Sequence, residues 1–119
     1  MPEGLHAYYM GHWAEMKKEV GGTFEETHER VICVLATMIE PVSAGEVADW
    51  THLNRSQVRQ ILNSWEPFLL AEHTDRENLY RIYHTSFAEF LGTQVDLRDY
   101  SDLVASAIEA RIEKARLER

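Results

Sequence analysis

A strongly apolar helix, a two-turn helix, a tight turn, a third amphipathic helix and a β-hairpin follow one another in that order. They predict a mainly α (α+β) fold built on a winged helix-turn-helix with a two-stranded β wing. Amphipathic segments before and after this run add a helix at each end. A length of 119 residues suits one compact domain, 1–119, with a single sizeable core.

The first helix is expected over 4–20, where Leu5, Tyr9, Trp13, Met16 and Val20 recur at helical steps and form one face. Tyr8 and Tyr9 are adjacent and cannot both face that core, so one belongs at the surface or against another domain. Gly21-Gly22-Thr23 then breaks the pattern. The second helix, 25–39, is acidic at its start, where the helix dipole favours negative charge, and nearly all apolar from Val31 to Ile39. It should be the most buried helix, and Pro41 should end it.

Ser43-Ala44-Gly45-Glu46 has capping-box spacing and opens a short helix over 44–51. After the turn at Leu53-Asn54, Asn54-Arg55-Ser56-Gln57 repeats the start signal ahead of Val58, Ile61, Leu62 and Trp65, giving a third helix over 55–65 that stops at Pro67. The hairpin is expected over 68–84: apolar Phe68 to Ala71, a polar turn from Thr74 to Asn78, and partial alternation from Leu79 to His84. Ser86-Phe87-Ala88-Glu89 again has capping-box spacing and begins a short helix, 87–91, closed by Gly92. Asp99 is placed to cap the last helix, 100–117, with its stripe of Leu103, Val104, Ala107, Ile108 and Ile112.

Composition narrows the function classes. A hydrophobic share of 45% with 27% charged residues is that of a folded chain. The single cysteine, Cys33, sits in an apolar run and is expected to be buried and unreactive, in keeping with a cytoplasmic setting. No stretch approaches the roughly 20 apolar residues that span a bilayer, so no membrane is expected. Catalysis has no motif behind it: there is no Gly-x-Ser-x-Gly elbow, no paired Cys-x-x-Cys and no Gly-rich Lys-Ser/Thr loop, so the chain is not expected to be an enzyme. His28-Glu29 lacks a second histidine four residues on, and His6, His12, His73 and His84 lack metal-ligand spacing, so no metal is expected.

A helix-turn-helix invites a DNA-binding reading, with Arg55, Gln57 and Arg59 of the third helix set against bases and phosphates. Charge opposes it. The net charge is −8, and from Glu72 to Tyr83 three acids stand against two arginines. A third reading is a plain protein-interaction module that docks through its first and last helices. The tryptophans Trp13, Trp50 and Trp65 are best read as core or interface packing.

The stretch Tyr83-His84-Thr85-Ser86-Phe87-Ala88-Glu89-Phe90-Leu91 resembles the end of the winged-helix domain in STAND signalling NTPases of the NACHT and NB-ARC type, with Glu89 where those proteins usually carry aspartate. Pro2 to Tyr9 looks like the helix that follows their ATPase core, and Glu40-Pro41-Val42-Ser43 with Leu53 to Val58 looks like their helix-turn-helix. The resemblance implies a regulatory module that packs on a neighbouring nucleotide-binding domain of the same polypeptide. It implies a contact from His84, with Ser86 beside it, to the β-phosphate of ADP in a closed resting state. It also implies homo-oligomers once ATP replaces ADP. The isolated chain should hold no cofactor; ADP and ATP belong to the longer protein. A histidine where a strand meets a helix N-terminus is well placed for an anion, because unpaired amides and the positive dipole end lie beside it; the plain alternative is that His84 only bonds a backbone carbonyl or its own helix cap.

Overall fold

A computed structural model describes residues 3–118. Pro2, quoted above at the start of the first helix, lies outside the described residues. Six α-helices and a small antiparallel sheet make a mainly α fold among the described residues: α1 (Glu3–Val20), α2 (Arg30–Thr37), α3 (Ala44–Thr51), α4 (Arg55–Ser64), α5 (Thr85–Gln94) and α6 (Leu97–Leu117), with β1 (Val42–Ser43), β2 (Leu69–His73) and β3 (Asn78–Ile82). No described helix is long and apolar enough to cross a membrane.

The local signals explain most starts and stops. Gly21, at φ +78°, takes the left-handed conformation that ends α1 without a Cβ penalty. The Ser43 hydroxyl accepts from the Glu46 amide while the Glu46 carboxylate accepts from the Ser43 amide, the reciprocal capping box that opens α3. Asn54 Oδ1 accepts from the Gln57 amide and opens α4. His52, at φ 62°, makes the turn between α3 and α4.

Several boundaries differ from expectation. The second helix is in two parts: a wide π turn over Glu25–Glu29, in which the Glu29 amide reaches back to the Phe24 carbonyl, leads into α2. α2 ends at Thr37, short of Pro41, because Met38 is already extended. The sheet has three strands, not two. Val42–Ser43 pairs with Tyr80 and Leu79, so β3 lies between β1 and β2. Two residues carry no readable period, which hid this strand in the sequence. α4 ends at Ser64, and Pro67 falls inside a 3-10 turn, Glu66–Phe68. α5 begins at Thr85, is capped by His84 and continues through Gly92 to Gln94. α6 begins at Leu97 because Asp96, not Asp99, accepts from the Arg98 amide.

The core gathers around α2 and Trp65. Val31, Ile32, Cys33, Val34 and Leu35 are all buried, and burial raises the Cys33 thiol pKa far above its ordinary value, which leaves it inert. Trp65 is fully buried and meets the rings of Trp13, Phe68 and Phe87. Full burial of each such ring is worth about 1.5–3 kcal/mol. The indole N–H cannot stay unpaired in that setting, and it donates to His28 Nδ1 at 3.0 Å. The His12 ring also packs edge-on against Trp65, with its Nε2 3.0 Å from the Ser64 carbonyl. Tyr100 of α6 donates to the Glu29 carboxylate, and burial with that bond raises its phenol pKa. Only Val104 of α6 is fully buried, and Ile108 and Ile112 are 41% and 54% exposed on the outer half of the helix.

His28 sets a pH dependence. To accept from the indole its Nδ1 must be unprotonated, and burial, with His12 nearby, lowers its pKa below the ordinary value of 6.5. The unfolded chain then binds the proton more readily than the fold, so stability is lost as the pH falls below about 6.5 and on through the lowered pKa. Urea midpoints taken between pH 7.5 and 5 should show a steeper acid loss for the native chain than for His28→Gln, whose side-chain oxygen accepts from the indole without titrating.

Candidate functional site

His84 sits at the junction of β3 and α5. Its extended backbone carries the chain out of the sheet, and its own ring caps the helix: Nδ1 accepts from the Ser86 amide at 3.0 Å. An amide can only donate, so Nδ1 bears a lone pair and the proton of the neutral ring is on Nε2. Ser86 Oγ lies 2.9 Å from the same Nδ1 and 2.7 Å from the Tyr9 hydroxyl, which comes from α1, 77 residues away in sequence. Tyr9 and Ser86 are both buried. The arrangement that leaves no buried hydroxyl proton unpaired runs Tyr9 O–H to Ser86 Oγ and Ser86 O–H to His84 Nδ1, whose single lone pair is then shared between the hydroxyl and the amide of Ser86. The outer nitrogen, Nε2, has no partner among the described residues, and His84 is exposed. The ring therefore offers one N–H donor to whatever meets this face.

The His84 ring caps its own helix, the plainer of the two sequence expectations, and this bears on the anion reading. The Ser86 amide is not free for an anion, because His84 itself occupies it, and the Phe87 amide bonds the His84 carbonyl. Ser86 is buried and reaches outward only through the histidine. Two tyrosines near the start of α1 and the end of β3 are exposed. Tyr83 is 63% exposed and Tyr8 is 55% exposed, whereas Tyr9 is 6% exposed, so the two adjacent tyrosines of α1 divide between surface and core. The Tyr83 amide bonds the Phe68 carbonyl, and the Phe68 ring packs on Tyr8 at 5.3 Å, which brings α1 and the end of β3 together. The resemblance singled out His84 and Ser86 but gave no sign of Tyr9, which bonds Ser86, since no local pattern links α1 to α5.

The other histidines are spread through the fold. His6 meets the Phe90 ring edge-on, His28 holds Trp65, and His73 lies 2.7 Å from Asn78 Oδ1 across the hairpin. No three of His, Cys, Asp and Glu come together as a metal site among the described residues.

The residues weighed for DNA do not act as one group. Gln57 faces the groove beside Val20, Thr27 and His28, away from the arginines. Arg55 and Arg59 instead line a cleft of about 540 Å³ with Arg76 from the hairpin turn and Arg111 from α6. Glu46, Asp49 and Glu77 share its walls. Compared with known proteins, the chain matches no family model, no curated protein and no solved structure.

The Tyr9–Ser86–His84 chain makes a measurable prediction. Ser86→Ala strands the buried Tyr9 hydroxyl and should cost about 1–3 kcal/mol in urea unfolding, more than the roughly 0.5–1.5 kcal/mol of Tyr9→Phe, which removes only one bond. The ring 15N shifts of His84 should report the Nε2–H form in the native chain and also in Ser86→Ala, because the backbone amide of residue 86 still donates to Nδ1.

Proposed function

We propose that the chain is the winged-helix regulatory module of a STAND/NACHT-type signalling ATPase, and that it packs on the nucleotide-binding domain of the same polypeptide to stabilise the ADP-bound resting state. The order of α2, α3, α4 and hairpin, with a short strand before α3 completing the sheet, supports the winged-helix reading. The observation that carries the function is the fixed ring of His84: exposed, anchored through Nδ1 and left with Nε2–H as a donor. A β-phosphate oxygen is a matching acceptor, and a hydrogen bond to a charged group is worth about 1.5–3 kcal/mol, enough to bias a two-state closure if it forms only in the ADP state. Ser86 serves here as a positioning residue that acts through the ring. Tyr83, exposed next to it in the chain, and Tyr8, exposed on α1, supply apolar area for the neighbouring domain. Release of this contact on exchange for ATP frees the module to move and the ATPase to assemble, an interface change of a familiar kind.

Arg55, Arg59 and Arg76 in one cleft give some support to a second reading, a DNA-binding winged helix. The carboxylates on the same walls and the net charge of −8 count against a polyanion.

The deciding experiment joins the chain to its nucleotide-binding domain. His84→Ala should shorten ADP retention by about tenfold or more and promote assembly without nucleotide exchange. Unchanged ADP retention would remove the sensor role. Tight, salt-sensitive binding of a DNA duplex by the chain, abolished by Arg55→Gln and Arg59→Gln, would put the second reading first.

A further inference from the structure

The arginine-lined cleft lies on elements that do not carry His84. Two of its cations come from α4, one from the hairpin turn and one from α6, so chain segments far apart in sequence converge on one concavity. Their surroundings are unequal. Arg111 is paired with Asp49 at 3.2 Å. The Glu46 carboxylate is engaged by the Ser43 amide and hydroxyl in the α3 cap. Among the described residues the side chains of Arg55, Arg59 and Arg76 have neither an ion-pair nor a hydrogen-bond partner, and Glu77 is the only carboxylate of the walls left similarly unengaged. Three guanidinium groups therefore face the cleft against one spare acid.

The seat of Arg55 sharpens this. Its guanidinium lies over Gly45 in the first turn of α3, so close that a Cβ there would come within 3.2 Å of Nε. The missing side chain lets the planar fork lie across the cleft floor, where it can present two parallel N–H donors to a carboxylate.

We infer that this cleft receives an acidic segment of a partner polypeptide, one or two carboxylates of which fork onto Arg55, Arg59 and Arg76. The volume far exceeds a lone phosphate and suits a short run of chain. A nucleic acid fits the walls less well. Its charges repeat along the whole strand and would be carried past Glu46, Asp49 and Glu77, and past Glu72 and Asp75 of the hairpin. A peptide places negative charge only where the arginines are and meets the remaining acids with neutral residues.

The test uses the full chain and the heptapeptide Gly-Ser-Glu-Ser-Glu-Ser-Gly, with a control in which glutamine replaces both glutamates. The Nε–H resonances of Arg55, Arg59 and Arg76 should move saturably with the glutamate peptide at a Kd on the order of 1 mM or tighter, and stay still with the control. Arg55→Gln with Arg59→Gln should weaken binding by about tenfold or more, and Arg76→Gln, in an exposed turn that the core does not need, should weaken it independently. The inference is overturned if neither peptide moves these resonances, if the control moves them equally, or if a random DNA duplex moves them at a lower concentration than the glutamate peptide. His84→Ala should leave the peptide affinity unchanged, so loss of the nucleotide contact and loss of this site are separable.

Discussion

The fully buried indole of Trp65 is the constraint on which the rest of the fold leans. Its ring must leave water, and its N–H must not be left without an acceptor once it has done so. His28 supplies that acceptor from the π turn that leads into α2, so a local departure from α-helical geometry lies where a ring nitrogen is needed. His12 packs on the same indole and lies 3.0 Å from the Ser64 carbonyl, which ties α1 to the end of α4. The aromatic cluster then passes from Trp65 through Phe68 and Phe87 to Tyr9. Because Tyr9 is the residue that holds Ser86 and through it His84, the orientation of one exposed imidazole is inherited from the packing of one buried indole.

His28 and His84 use the same chemistry for different ends. In each, Nδ1 accepts a bond from the protein and the proton is left on Nε2. His28 is half-buried among aromatic rings, so its bond serves packing. His84 stands at the surface with its second nitrogen unengaged, so the identical anchoring becomes presentation of a donor. A buried partner such as Tyr9 makes that presentation cheap at the moment of contact, since the ring has little rotational freedom left to lose.

What could be read from the sequence followed from the range of each signal. The Ser43–Glu46 box and the Asn54 cap depend on residues three apart and were legible as such. The start of α5 was misread because histidine is outside the usual capping set, so Ser86 looked like the cap when it is the residue being capped. Asp96 and Asp99 are equally good capping acids, and nothing local distinguishes them. His84 and Ser86 were singled out through a resemblance carried by one contiguous stretch. Tyr9 was not, nor was the gathering of Arg76 and Arg111 with Arg55 and Arg59, because those neighbours exist only once the hairpin and α6 have folded back on α4.

Net charge was the least transferable of the sequence arguments. A value of −8 describes the chain as seen from a distance, but at physiological salt charges are screened beyond about 8 Å. A ligand a few ångströms from Arg55, Arg59 and Arg76 therefore responds mainly to them and to Glu46, Asp49 and Glu77, not to acids elsewhere on the chain. A ligand many times longer than the screening length samples the surroundings as well, and there the acids regain their weight. The same surface thus attracts a short anion and disfavours a long one, and the length of the ligand, more than its sign, decides which kind of partner this fold can accept.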